Sequence, residues 1–180
     1  MRPASRQCSC QRLPGRVEWA PAGLDRWLLR LAELLPAIHA ASLPAADVVP
    51  AFAPYPQKSY APPGWARWPT VWERAVEIAH RPPPELPPVF IQRDFRPGNV
   101  LWRRGAVSGV VDWQSASIGP ASADVAHCRA NLFGFDLDVA DRFTESWERL
   151  TGERFHPWAE VVTIIGFLDG SPKILAPTVS

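Results

Sequence analysis

The chain has little lysine, methionine, tyrosine or net charge. Lysine occupies only Lys58 and Lys173 among 180 residues, so nearly all the cationic side chains are arginines. Nineteen Lys plus Arg against eighteen Asp plus Glu leave a formal charge of +1. Without a basic excess there is no electrostatic basis for binding nucleic acid. Long apolar runs are absent as well. The stretch from Val161 to Leu168 is interrupted by Thr163 and Gly166 and falls far short of the roughly 20 residues of a membrane-spanning helix, so no membrane partner is expected. The opening MRPASRQCSCQR has no apolar core, and a secretory leader is not expected. Cysteine is scarce and odd in number, three in all. That count argues against a disulfide framework and for a reducing, cytoplasmic setting.

Proline (21) and tryptophan (nine) are abundant. The prolines follow no period, which excludes a collagen, and the plentiful aromatics exclude low-complexity disorder. With 47% hydrophobic residues, a chain of this length can bury one core. There is no internal repeat and no break into two domains. Residues 1–20 are polar and aperiodic and are expected to form a loose lead-in, with residues 21–180 as the domain proper.

Leu24, Trp27, Leu28, Leu31, Leu35 and Ile38 recur at three- and four-residue steps, which predicts an amphipathic helix over 24–41, kinked or loosened near Pro36. Residues 44–66 are studded with proline and read as an extended surface connection. Thr70-Val-Trp-Glu73 has the form of a capping box opening a second helix to about His80, ended by Arg81-Pro-Pro-Pro84. Pro88 to Ile91 reads as a short strand. Val100 to Arg103 and Val107 to Asp112 read as a hairpin about Arg104-Gly105. Further helices are predicted at about 122–133, at 137–150 starting near Asp136, and at 157–168 with Pro157 in the first helical position. The sum is an α+β domain, predominantly helical, with one central hairpin.

The chemistry concentrates at that hairpin. Asp94 lies in the loop entering it, Asn99 at the start of its first strand and Asp112 at the end of its second. An antiparallel hairpin returns its exit to its entrance, so these three side chains should converge. Two carboxylates and an amide oxygen make a hard-oxygen site of the kind Mg²⁺ shares with substrate phosphates, and a carboxylate beside it can take a proton from an attacking hydroxyl. Singly, each of these residues is an ordinary turn former. Jointly, the order of apolar strand, Arg-Asp-x-x-x-x-Asn, hairpin and apolar strand ending in Asp matches the catalytic and metal loops of protein-kinase-like enzymes.

The segments Phe90-Ile-Gln-Arg-Asp-Phe-Arg-Pro-Gly-Asn-Val-Leu-Trp102, Val110-Val-Asp-Trp-Gln114 and Ile118-Gly-Pro-Ala-Ser-Ala-Asp124 together resemble the aminoglycoside phosphotransferase family. The likeness runs from about Leu13 to Leu168, with Leu13-Pro-Gly15 similar to the hinge between the family's two lobes and the helix at 24–41 similar to the one after it. It implies the large, C-terminal lobe of a protein-kinase-like fold. It also implies Asp94 as catalytic base, Asn99 and Asp112 as Mg²⁺ ligands, ATP as co-substrate and a small-molecule hydroxyl as acceptor. Asp124 would brace the catalytic loop through backbone N–H groups. The family usually has His where this chain has Gln92, a loop-shaping position at which Gln can still donate and accept. A second frequent His is Arg96 here, a fixed charge expected to lower the proton affinity of Asp94 or to touch phosphate. Only twelve residues precede Leu13, too few for the small lobe with its glycine-rich loop and lysine. The expectation is therefore a truncated member with little turnover alone, able to self-associate through an uncovered hinge face.

Two rival readings follow from the same residues: a non-catalytic remnant serving as a binding module, and a metal-dependent hydrolase acting without ATP. Cys8-x-Cys10 lacks a second Cys/His pair at zinc spacing. His39, His80, His127 and His156 have no nucleophile motif beside them. Trp68, Trp72 and Trp147 are expected in the core. Seven acids against three arginines between Asp136 and Glu160 suit a cationic acceptor less well than a solvated helix face.

Overall fold

Leu24, Trp27, Leu28, Leu31, Leu35 and Ile38 fall on one side of a 3.6-residue repeat, and there the computed structural model forms helix α1 (Leu24–His39). The structure describes residues 12–19, 21–42, 49–54, 62, 64 and 66–167. Cys8, Cys10, Lys58, Lys173, most of the 44–66 connection and the lead-in before residue 12 lie outside the described residues. Leu28, Leu31 and Leu35 are buried completely, each contributing about 1.5–3 kcal/mol relative to exposure. The helix continues through Pro36 to His39 rather than breaking, because a proline in the last turn forfeits one ladder bond close to where the ladder ends anyway.

Helix α2 (Pro69–His80) begins two residues earlier than the capping box requires. Pro69 takes the first helical position, where its fixed φ suits the helix and its missing N–H is no loss. Thr70 is thereby inside the helix, the N-cap is Trp68 and no side chain caps it. The same shift leaves Trp68 65% exposed, whereas Trp147 is fully buried as expected.

Strand β1 (Pro88–Ile91) does not belong to the hairpin. It pairs antiparallel with β4 (Ser117–Pro120), Val89 opposite Gly119 and Ile91 opposite Ser117. The hairpin itself is β2 (Val100–Arg103) with β3 (Ala106–Val110), interrupted by a bulge between Leu101 and Trp102. The β1–β4 pair therefore closes a neck, and residues 92–116, including the hairpin, loop out from it. Arg16 adds a short bridge to Trp102, with N–H···O bonds of 3.0 and 2.8 Å in the two directions. Residues after β4 run directly into α3 (Ala121–Leu132), followed by α4 (Leu137–Thr151) and α5 (Pro157–Phe167). Asp136 caps α4 by accepting from the Asp138 N–H at 3.3 Å, and Gly152 ends it in the left-handed region at φ 72°.

One core joins α1, α3 and α4. Leu31 and Leu35 meet Val125, Leu132, Phe143 and Trp147 in it, and Phe95 and Val100 enter it from the hairpin loop. Helix α3 is buried along almost its whole length, so any side chain it aims at the loop is held in a rigid frame. No helix among the described residues is long and apolar enough to cross a membrane.

Candidate active site

The loop from Gln92 to Asn99 is pinned at several points. Phe95, fully buried, anchors it in the core. Asp124, also fully buried, accepts from the backbone N–H of Gln92 at 3.0 Å and of Arg93 at 2.6 Å. Its Oδ2 is met as well by His39 Nε2 at 3.1 Å, from the last turn of α1. The carboxylate thus replaces the ladder partners that Gln92 and Arg93 lose where β1 ends. Arg93 adopts φ 68°, a left-handed conformation costly for a residue with Cβ. The short bond to its N–H holds it there.

Asp94 is surrounded by donors. Asn99 Nδ2 lies 2.7 Å from its Oδ2 and 2.9 Å from its backbone oxygen. Arg96 Nε stands 3.3 Å away, and His127 Nε2 2.8 Å from Oδ1. Partial burial by itself would raise the carboxyl. The hydrogen bond and charge of His127, the Asn99 amide and the Arg96 charge outweigh it and hold Asp94 below its ordinary value. At neutral pH the group is therefore an ionised acceptor of modest proton affinity.

Across the hairpin, the N–H of Val111 donates to the Asn99 carbonyl at 2.9 Å, which brings Asn99 within one residue of Asp112 as the folded-back ribbon required. Asp112 sits at φ 61° and its side chain is exposed. The fully buried Gln92 ties this corner down, its Nε2 donating to the carbonyls of Val111 at 3.0 Å and Asp112 at 2.7 Å. Trp113 lies flat on Phe90, 5.7 Å between ring centres and 6° between planes. Asn99 directs its amide nitrogen to Asp94, which leaves its amide oxygen and the exposed Asp112 carboxylate as the hard donors available to a cation. No cluster of three His, Cys, Asp or Glu suited to a metal exists among the described residues. Two hard oxygen donors fit an ion that completes its shell with phosphate and water.

Sequence reading named Asp94, Asn99, Asp112, Gln92 and Asp124; hydrogen bonds link Asp94 to Asn99 and Gln92 to Asp124, and Asp112 is tied to Gln92 through its carbonyl. It missed His39 and His127. Their signal is spacing: His127 follows Asp124 by three residues on one helix, hence on one face, whereas His39 comes from a distant helix and no local pattern points to it. The acidic stretch after Asp136 is largely engaged in structure. Arg129, itself buried, binds Glu160 at 2.8 Å and Asp141 at 2.9 Å, and Glu148 accepts from Arg154 and from the Phe155 N–H at 2.9 Å each. These acids brace α3, α4 and α5 rather than forming a free anionic surface.

Gln92 gives the first prediction. Gln92→Ala removes both donors to Val111 and Asp112 and leaves two carbonyls to find other partners, while also removing an amide oxygen that has no donor. The expected loss is about 1–3 kcal/mol, read as a lower midpoint in urea unfolding. An unchanged midpoint would show that the tether carries no weight.

Residues 8–158 match the family model described as a phosphotransferase enzyme family. No curated protein matches the chain. Among solved structures, an aminoglycoside 3'-phosphotransferase of type VIII aligns with a TM-score of 0.61 at 17% identity, over 87% of this chain and 66% of its own. A thermostable mutant of an aminoglycoside phosphotransferase, in ternary complex with ADP and hygromycin B, aligns at 0.57 and 22%, over 88% and 61%. A macrolide 2'-phosphotransferase from Brachybacterium faecium aligns at 0.55 and 14%, over 91% and 65%. The chain spans just under two thirds of the length of each of these structures.

Proposed function

The chain belongs to this phosphotransferase enzyme family, and on that premise we propose that it moves the γ-phosphoryl group of ATP to a hydroxyl of a small molecule, with Asp94 accepting the hydroxyl proton. The observation that carries the reading is the triangle of Asp94, Asn99 and Asp112. A buried brace holds the Asp94 loop, Asn99 donates to the Asp94 carboxylate, and the ribbon brings the backbone at Val111 and Asp112 back to Asn99 and Gln92. Phosphoryl transfer asks mainly for positioning and for charge placed against phosphate, and a pinned loop supplies the first.

Asn99 and Asp112 are the residues that would hold Mg²⁺. When bound, the cation neutralises charge on the phosphate oxygens. Asp94 is hydrogen-bonded to Asn99 and so stands beside that charge, and its lowered proton affinity keeps it ionised to receive a proton. Arg96, a third exposed, offers a guanidinium on the same rim. The solved relatives include complexes with ADP and hygromycin B and with AMP-PNP and Ca²⁺. These support a nucleotide as co-substrate and a hydroxyl-rich antibiotic-like molecule as the acceptor class here.

Calorimetry with Mg²⁺ and ATP tests the reading. Asp112→Ala should weaken Mg²⁺-dependent ATP binding by roughly 10–100-fold, the scale at which a ligand set is disrupted, with no change in thermal stability because the side chain is exposed. Equal binding by the variant would remove Asp112 from the site. Cation binding that ignores ATP would favour the hydrolase reading instead.

A further inference from the structure

His127 is one turn beyond Asp124 on α3, so one helix face presents both. Asp124 fixes the backbone of the loop. His127 reaches the side chain that the loop presents, with Nε2 2.8 Å from Asp94 Oδ1. The histidine is 5% exposed, and Phe167 meets its ring edge-on at 4.9 Å between centres. An ionised carboxylate only accepts, so the ring nitrogen facing it carries the proton.

The other donors to Asp94 come from within its own loop. Asn99 holds Oδ2, and Arg96 approaches from two residues away. Both belong to the same loop as Asp94, so neither ties its carboxylate directly to a helix of the core. Only His127 does that among the described residues, because α3 is buried along its length and packs against α1, α4 and α5. Its bond to Oδ1 opposes the Asn99 bond to Oδ2, and together they stop rotation of the carboxylate about its own axis.

We propose that His127 is a positioning residue, fixing the Asp94 carboxylate against the rigid helix α3 in the orientation that proton transfer requires. The inference rests on Asp94 being the proton acceptor. Misplacing a reacting group by about 1 Å can cost on the order of 100-fold in rate, so the contact is expected to act on kcat and not on binding.

Two measurements on the full chain test it. In proton NMR, the Nε2–H of His127 should appear far downfield and exchange slowly, and Asp94→Ala should abolish the signal. A signal that is absent, or indifferent to Asp94→Ala, overturns the pairing. In steady-state turnover of Mg²⁺ and ATP with hygromycin B as acceptor, His127→Leu should lower kcat by about tenfold or more with both KM values nearly unchanged. His127→Gln, which restores an N–H donor near the same point, should recover most of that loss. A Gln variant no better than Leu, or a loss confined to KM, overturns the positioning role. A chain that shows the protected proton but turns over no ATP would overturn the phosphotransfer reading and with it the positioning role, leaving the His127–Asp94 bond as a structural tether.

Discussion

Asp94→Asn lowers phosphoryl transfer by roughly 10²–10⁴-fold, the usual contribution of a positioned general base, while calorimetry finds Mg²⁺-dependent ATP binding little changed. Asparagine keeps the size of the side chain and one of the two acceptor oxygens, so its amide nitrogen faces either His127 or Asn99, and proton acceptance is lost outright. The fall should appear equally in kcat and kcat/KM, the mark of an interaction made in the transition state alone. A variant retaining most of the turnover would assign the proton to another acceptor. Acidity works in the same direction. The neighbours of Asp94 hold its folded value below the ordinary one, so its ionised form stabilises the fold at and above the ordinary carboxylate range. That contribution drains away as pH falls towards the lowered value.

The second large effect falls on stability. Asp124→Ala strips the acceptor from two backbone N–H groups and from His39, all gathered on one carboxylate that solvent does not reach. Breaking a buried charged contact by removing one partner typically costs about 3–5 kcal/mol. In a chain of this size that corresponds to a fall in Tm on the order of 10 °C. Differential scanning calorimetry reads it directly. Asp124→Asn should recover only part of the loss, since its amide nitrogen must then face a donor. A melting temperature within a degree or two of the parent would mean that other groups satisfy those N–H donors.

Helices α1 and α4 were legible because each writes a periodic stripe, as at Leu24 to Ile38 and from Val139 to Trp147. The hairpin was legible because Arg104-Gly105 separates two short runs rich in strand-favouring residues. Strand β4 was not. Ser117-Ile-Gly-Pro120 contains two residues that weaken a strand, and its partner Pro88 to Ile91 is distant in sequence, so neither propensity nor alternation announces the pair. Gly119 is needed there for a reason local pattern cannot show: a Cβ would collide with Phe52. The site was readable as far as it is carried by an ordered string of polar residues near one hairpin. Asp94, Asn99 and Asp112 are that string. His39 and His127 act across the core, and their pairing exists only once α1 and α3 pack on the loop. The capping box at Thr70 failed for a similar reason, one residue outside the motif: Pro69 is a better first helical residue than Thr70 is a cap.

The neck made by β1 and β4 has Asp94 and Asp112 near its mouth: Asp94 lies three residues past β1, and the Asp112 carbonyl is tethered back to Gln92. The turn at Arg104-Gly105 is at the far tip of the looped-out ribbon, exposed and away from that mouth. Lengthening a loop costs only about 0.6 kcal/mol per doubling. Extra residues spliced into the tip would therefore leave the reacting geometry where it is. The ribbon's end is accordingly a place where this scaffold can accept a grafted peptide or drift in length over generations, while the mouth tolerates neither.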